Sequence, residues 1–99
     1  MSNVAQTILQ QLGGNRFIAM TGAKNLTVGD YGNGLGFKIG RNAGRVSHVQ
    51  IHLDASDTYT VKFLAVRKFA VREIESASFV YADQLRPMFE RVTGMATSL

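Results

Sequence analysis

His48 and His52 are the two histidines of the chain and the first residues to weigh for chemistry, as metal ligands or as a general base. They fall in the run VSHVQIHL, where Val49, Ile51 and Leu53 point one way and His48, Gln50 and His52 the other, the period-two pattern of a half-buried antiparallel strand. At about 3.3 Å per residue, positions four apart on a strand lie roughly 13 Å from each other, too far to share one ion. No cluster of Cys, His or carboxylates accompanies them, so both are assigned to a solvent or partner face, and neither metal nor cofactor is expected. Asp54 and Asp57 follow in DASD, short side chains that hydrogen-bond turn amides, and turn capping accounts for them without a catalytic pair. Six of the ten glycines lie between Gly29 and Gly44, in GDYGNGLGFKIGRNAG. The run contains neither GxxxxGK followed by Ser or Thr nor GxGxxG between a strand and a helix, so it reads as turns and not as a nucleotide loop. With no cysteine there is no disulfide frame, thiolate zinc site or cysteine nucleophile. No nucleophile, base and oxyanion donors assemble in the sequence, and a non-enzymatic protein is expected.

The residues that remain are basic. The formal charge is +4 on 99 residues, and between Arg16 and Arg72 nine Lys or Arg face three acids, Asp30, Asp54 and Asp57. Lys38, Arg41 and Arg45 lie in or beside the glycine-rich stretch, and Lys62, Arg67, Lys68 and Arg72 on or near the central strands. These seven are the candidate partner or nucleic-acid contacts, able to meet phosphates, with arginine also offering bidentate hydrogen bonds. Alternation puts Lys62 opposite Phe63 in facing and gives Lys68 the same parity, which predicts a basic stripe on an uncovered sheet face. Tyr31 and Tyr59, near that face, are candidates to stack on exposed bases, although an edge or turn tyrosine is the commoner outcome. A chain this basic is a poor DNA mimic.

The elements that must hold these residues follow from periodicity. Ser2 or Asn3 can cap a helix through VAQTILQQL, with Val4, Ile8, Leu9 and Leu12 on one stripe, stopped by Gly13 and Gly14. Arg16 to Thr21 alternates as a strand and ends in a GAKN turn at Gly22 to Asn25. From Leu26 the pattern degrades, with one short strand expected at Leu35 to Ile39, Phe37 facing the core and Leu35 and Ile39 as further candidates to do so. The longest readable segment runs from Val46 to Ile74 as strand, turn, strand, with Tyr59, Val61, Phe63 and Ala65 on the inner face. Past Arg67 the register is open, and the strand continues, bends near Lys68 or gives way to another strand through Phe69, Val71 and Glu73. Glu75 to Ser78 reads as a break with capping residues. Tyr81, Leu85, Met88, Phe89 and Val92 mark a second helix, ended by Gly94. Pro87 sits near its fourth position if Asp83 is the N-cap, or bends it if the helix begins at Ser78. The tail MATSL has little structure of its own.

The order is an α+β domain over residues 1–99: an antiparallel sheet of three to five strands with an N-terminal and a C-terminal helix packed on one face. The N-terminus lacks a signal-peptide pattern, and no run approaches the roughly 20 apolar residues of a membrane span, so the cytoplasm is expected.

LGGNRFIAMTGAKNL, Leu12 to Leu26, resembles a segment shared by a group of small, mostly uncharacterised proteins encoded by bacteriophages and mobile elements. The similarity continues through FLAVRKF to YADQL, Tyr81 to Leu85, and RVTGMATSL, Arg91 to Leu99, and departs in the glycine-rich Gly29 to Gly44. No catalytic residues of the group are known to carry over. The resemblance implies a phage accessory protein acting in the bacterial host by stoichiometric binding. The leading expectation is an anti-CRISPR inhibitor that binds a Cas surveillance ribonucleoprotein, protein with guide RNA, and blocks target DNA binding. The alternative is a small DNA- or RNA-binding protein of phage replication or regulation.

Overall fold

The computed structural model describes residues 3–28, 33–68 and 70–97. Helix α1, Asn3–Leu12, follows the expected stripe: Ile8, Leu9 and Leu12 are buried with Ala5, while Gln6 and Gln10 face water. Its last turn closes at the glycine pair, Gly14 N–H donating to the Leu9 carbonyl at 2.9 Å. Of the two expected caps, Ser2 lies outside the described residues and Asn3 is the first residue of the helix.

The strand expected over Arg16 to Thr21 is instead helix α2, Asn15–Thr21. A strand would bury Phe17, Ala19 and Thr21 together. The structure buries Phe17 and Thr21, four apart, and exposes Ala19, the spacing of one helical face. Two local bonds complete the helix: Thr21 Oγ1 donates to the Phe17 carbonyl at 2.8 Å, and Gly22, at φ 69°, donates its N–H to the Ile18 carbonyl at 2.9 Å. A residue in that left-handed position ends helices and favours glycine.

Five antiparallel strands follow in spatial order β1 to β5: β1, Lys24–Val28; β2, Gly34–Lys38; β3, His48–Leu53; β4, Tyr59–Arg67; and β5, Ala70–Val80. Strand β1 occupies residues read as a turn and its degraded sequel. It pairs Lys24 with Lys38 and Thr27 with Gly36 around an irregularity in which Asn25 takes a positive φ, and this extra residue hides the alternation. The expected hairpin forms, pairing Val49 with Phe63, Ile51 with Val61 and Leu53 with Tyr59. Its turn holds Asp57 at φ 62°, donating its N–H to the Asp54 carbonyl at 3.0 Å, and Thr60 Oγ1 donates to Asp54 Oδ2 at 2.7 Å.

After the turn at Lys68 the chain starts a new strand, and Glu75 to Ser78 are not a break but lie inside β5. Two irregularities in the β4–β5 pairing, one between Phe63 and Leu64 and one between Tyr59 and Val61, take up extra β5 residues, so a single period cannot be read along the strand. Phe69, part of the alternation expected here, lies outside the described residues.

One face of the sheet is covered. Leu35, Phe37, Val49, Ile51, Val61 and Phe63 point into a core shared with α1, α2 and helix α3, Leu85–Thr93. At its centre Phe17 meets Phe37 and Phe89 edge-on, with ring centroids 5.4 and 5.0 Å apart, favourable aromatic geometry. Helix α3 follows a short 3-10 turn, Ala82–Gln84, and its N-cap is Gln84. The helix does not begin at Ser78; its N-cap falls one residue past Asp83, so Pro87, expected near the fourth position, is the third helical residue, where a backbone N–H has no intrahelical partner to lose. Tyr81 leaves the predicted stripe, precedes the turn and is 60% exposed. The tail is irregular yet anchored: Thr97 is fully buried, and its N–H and hydroxyl both donate to Glu90 Oε2, at 3.0 and 3.1 Å.

Candidate functional site

In an antiparallel meander, successive connections fall at alternate ends of the sheet. The start of β1, the β2–β3 connection over residues 39–47 and the β4–β5 turn therefore share one end. That end gathers Lys24, Lys38, Arg41, Arg45, Arg67, Lys68 and Arg72. The opposite end carries Asp54 and Asp57 in the β3–β4 turn and Asp83 after β5. Glu73, next to Arg72 on β5 and paired with Leu64, is the acid nearest the basic end, and the charge is otherwise polarised along the strands, not striped across a face.

Six of the seven sequence-predicted contacts meet at this end. Lys62 stands apart at mid-sheet, paired with Gln50 and Ser76 on the uncovered face with His52 and Thr60. Lys68 occupies the turn, so it does not continue a row from Lys62. The residue missed is Lys24, which lies directly across from Lys38. Its only signal was its basic type within a segment read as a turn. Like charges directly opposite each other disfavour the strand pair. Among the described residues no carboxylate is ion-paired with any of these seven cations; Arg91 pairs with Glu75, at 2.5 Å, and the His52 ring lies 3.9 Å from an Asp54 carboxylate oxygen. A hydrogen bond to Glu75 and then its charge raise the Arg91 guanidinium above its ordinary value.

The connection carrying Arg41 and Arg45 is held in one shape. Asn42 organises it: Nδ2 donates to the Gly40 carbonyl at 2.8 Å and the Val46 carbonyl at 2.6 Å, while Oδ1 accepts the Val46 N–H at 3.0 Å. Ile39 and Val46 are buried at its two ends. Gly40 N–H donates to the Thr21 carbonyl at 3.1 Å and Gly44 N–H to the Thr93 carbonyl at 3.2 Å, fastening the segment to the C-termini of α2 and α3. Gly44 lies so close to α3 that a Cβ there would overlap the Val92 carbonyl oxygen. On the other side, Ser47 N–H donates to the Leu64 carbonyl at 2.8 Å, and Ser47 Oγ accepts the Val66 N–H at 2.8 Å.

Between this connection and the β4–β5 arm runs a groove of about 470 Å³, lined by Arg45, Arg67 and Arg72, by Ser47, and by the apolar Ala65, Val66, Ala70 and Ile74. Register explains the set: Ala65 pairs with Arg72 and Arg67 with Ala70, so all four present to one side.

The tyrosines do not serve this surface as expected. Tyr59 is a core residue, 5% exposed, its hydroxyl donating to Gln11 Oε1 at 2.8 Å. Tyr31 lies outside the described residues. Among the described residues no group of three or more His, Cys, Asp or Glu could hold a metal ion, and no helix is long and apolar enough to cross a membrane. No protein-family model, curated protein or solved structure matches the chain.

Proposed function

We propose that this protein acts by stoichiometric, non-enzymatic binding, its basic end contacting the phosphate backbone of a nucleic acid, free or held in a nucleoprotein of a host cytoplasm. One observation carries the reading: the meander brings seven cations to one end with no ion-paired carboxylate among the described residues. Such an end attracts polyanions by releasing their counterions. The resemblance at Leu12 to Leu26 adds the anti-CRISPR reading, in which the phosphates belong to the guide RNA of a Cas surveillance complex and occupation of its channel blocks target DNA.

The test is fluorescence anisotropy with labelled single- and double-stranded DNA and RNA at about 50 and 200 mM salt, the interval over which phosphate-driven affinity falls steeply. Binding that weakens with salt is expected, and the triple variant Arg41→Gln, Arg67→Gln, Lys68→Gln should lower the affinity and flatten the salt slope by about 0.7 to 0.9 per contact removed. Lys62→Gln, away from the end, should change both less. An unchanged slope in a folded triple variant would refute the assignment.

A further inference from the structure

We propose that the groove between the β2–β3 connection and the β4–β5 arm takes one unpaired nucleotide, so that the protein prefers single-stranded nucleic acid to duplex. The proposal rests on the reading that the basic end binds phosphate, and adds what that reading lacks: a place for a base. A purely electrostatic surface needs no concavity. Here a groove of about 470 Å³ falls within the range of small-molecule sites, about 300 to 1,000 Å³.

Its lining is divided by chemistry. Ala65, Val66, Ala70 and Ile74 are the apolar part of the lining, suited to the face of a base or a sugar, with the Ser47 hydroxyl the one neutral polar side chain beside them. Arg45, Arg67 and Arg72, also in the lining, suit the phosphates next to the base, and a planar guanidinium also stacks on a base. Arginine thus fills the place that Tyr59, buried in the core, does not. In a duplex both faces of each base are already stacked, and an unpaired nucleotide can enter where a base pair cannot. The groove is also preformed. Ser47 ties the connection to β4 through the Leu64 carbonyl and the Val66 N–H, while Gly44 and Asn42 hold its other side, so binding need not order the backbone of the connection and has only the arginine side chains to fix.

The experiment compares an oligothymidylate of about 12 nucleotides with a duplex of the same length, within the site sizes typical of single-strand binders. Wild-type protein should bind the single strand at least about tenfold more tightly, the scale of one stacked base. Ala70→Leu fills the groove without altering charge. It should abolish that preference, weakening single-strand binding about tenfold and leaving duplex binding within about twofold. Arg72→Lys keeps the charge but loses the plane, and should weaken single-strand binding while preserving the salt slope. Circular dichroism and melting identify any variant that has not folded, and Arg72→Lys, on an exposed residue, carries the test if Ala70→Leu fails to fold. Equal wild-type affinity for both ligands, or single-strand binding undiminished in the folded variants, overturns the groove assignment and leaves the basic end intact. No binding to either ligand overturns both.

Discussion

Gly44→Ala tests how the arginine-bearing connection is held. The added methyl would overlap the Val92 carbonyl oxygen and press on Val92 C and Thr93 Cα, at 3.0 and 3.1 Å. All are backbone atoms of α3, so no side chain can rotate away. Either α3 shifts in a well-packed core, at about 1 to 3 kcal/mol, or the connection lifts and gives up the Gly44 N–H bond to the Thr93 carbonyl, about 1 kcal/mol. A loss of about 2 kcal/mol, the middle of the first range, corresponds to a fall in Tm of about 10 °C for a domain of this size. Gly40→Ala provides the control within the same segment: its nearest neighbour would be the Thr21 carbonyl oxygen at 3.5 Å, an ordinary contact, and its stability should stay within about 0.5 kcal/mol of wild type. Thermal melting and urea denaturation of the two variants side by side provide the measurement. If Gly44→Ala melts within about 2 °C of Gly40→Ala, a shift smaller than about 0.5 kcal/mol, the close approach to α3 is not what holds the segment. Because Arg41 and Arg45 ride on it, Gly44→Ala should also weaken nucleic-acid binding.

Asn42→Ala removes three hydrogen bonds at once and should cost about 1 to 2 kcal/mol, with faster hydrogen exchange at the Val46 amide; unchanged exchange would mean the segment is held by its glycine contacts alone. Phe79 stands at φ 58° and is 73% exposed, a conformation that costs an L-residue about 1 to 2 kcal/mol. Phe79→Gly should therefore stabilise the protein by about 1 kcal/mol in urea denaturation, and a loss of stability would show that the ring makes contacts outweighing the strain.

Much of the architecture was legible because apolar residues recurred at one period within each element. Val49 to Leu53 and Tyr59 to Phe63 each alternate cleanly on either side of the polar DASD, and both strands and their turn formed where expected. The stripe of Ile8, Leu9 and Leu12 marked α1, and Leu85, Phe89 and Val92 marked the body of α3. The failures share a cause. Phe17 to Thr21 is short enough to fit both periods, and only burial against Phe37 and Phe89 selects the helix. In β1 and β5 extra residues at irregular pairings break the alternation, so Lys24 was read into a turn and Glu75 to Ser78 into a gap. Tyr81 matched a helical stripe by spacing alone, but the chain turns before that stripe can include it.

By itself the sequence determined the class of the fold, the central hairpin and the excess of positive charge, since these follow from composition and local periodicity. The tertiary structure decided where that charge goes. The cations are spread from Lys24 to Arg72, and only the order of the meander, which returns alternate connections to the same end, collects them opposite Asp54, Asp57 and Asp83. The groove is likewise a tertiary product: Arg45 comes from one connection, Arg67 and Arg72 from a strand pair, and their nearness depends on Ser47 binding β4 and on Gly44 lying against α3, contacts between residues too far apart in the chain for any local pattern to encode.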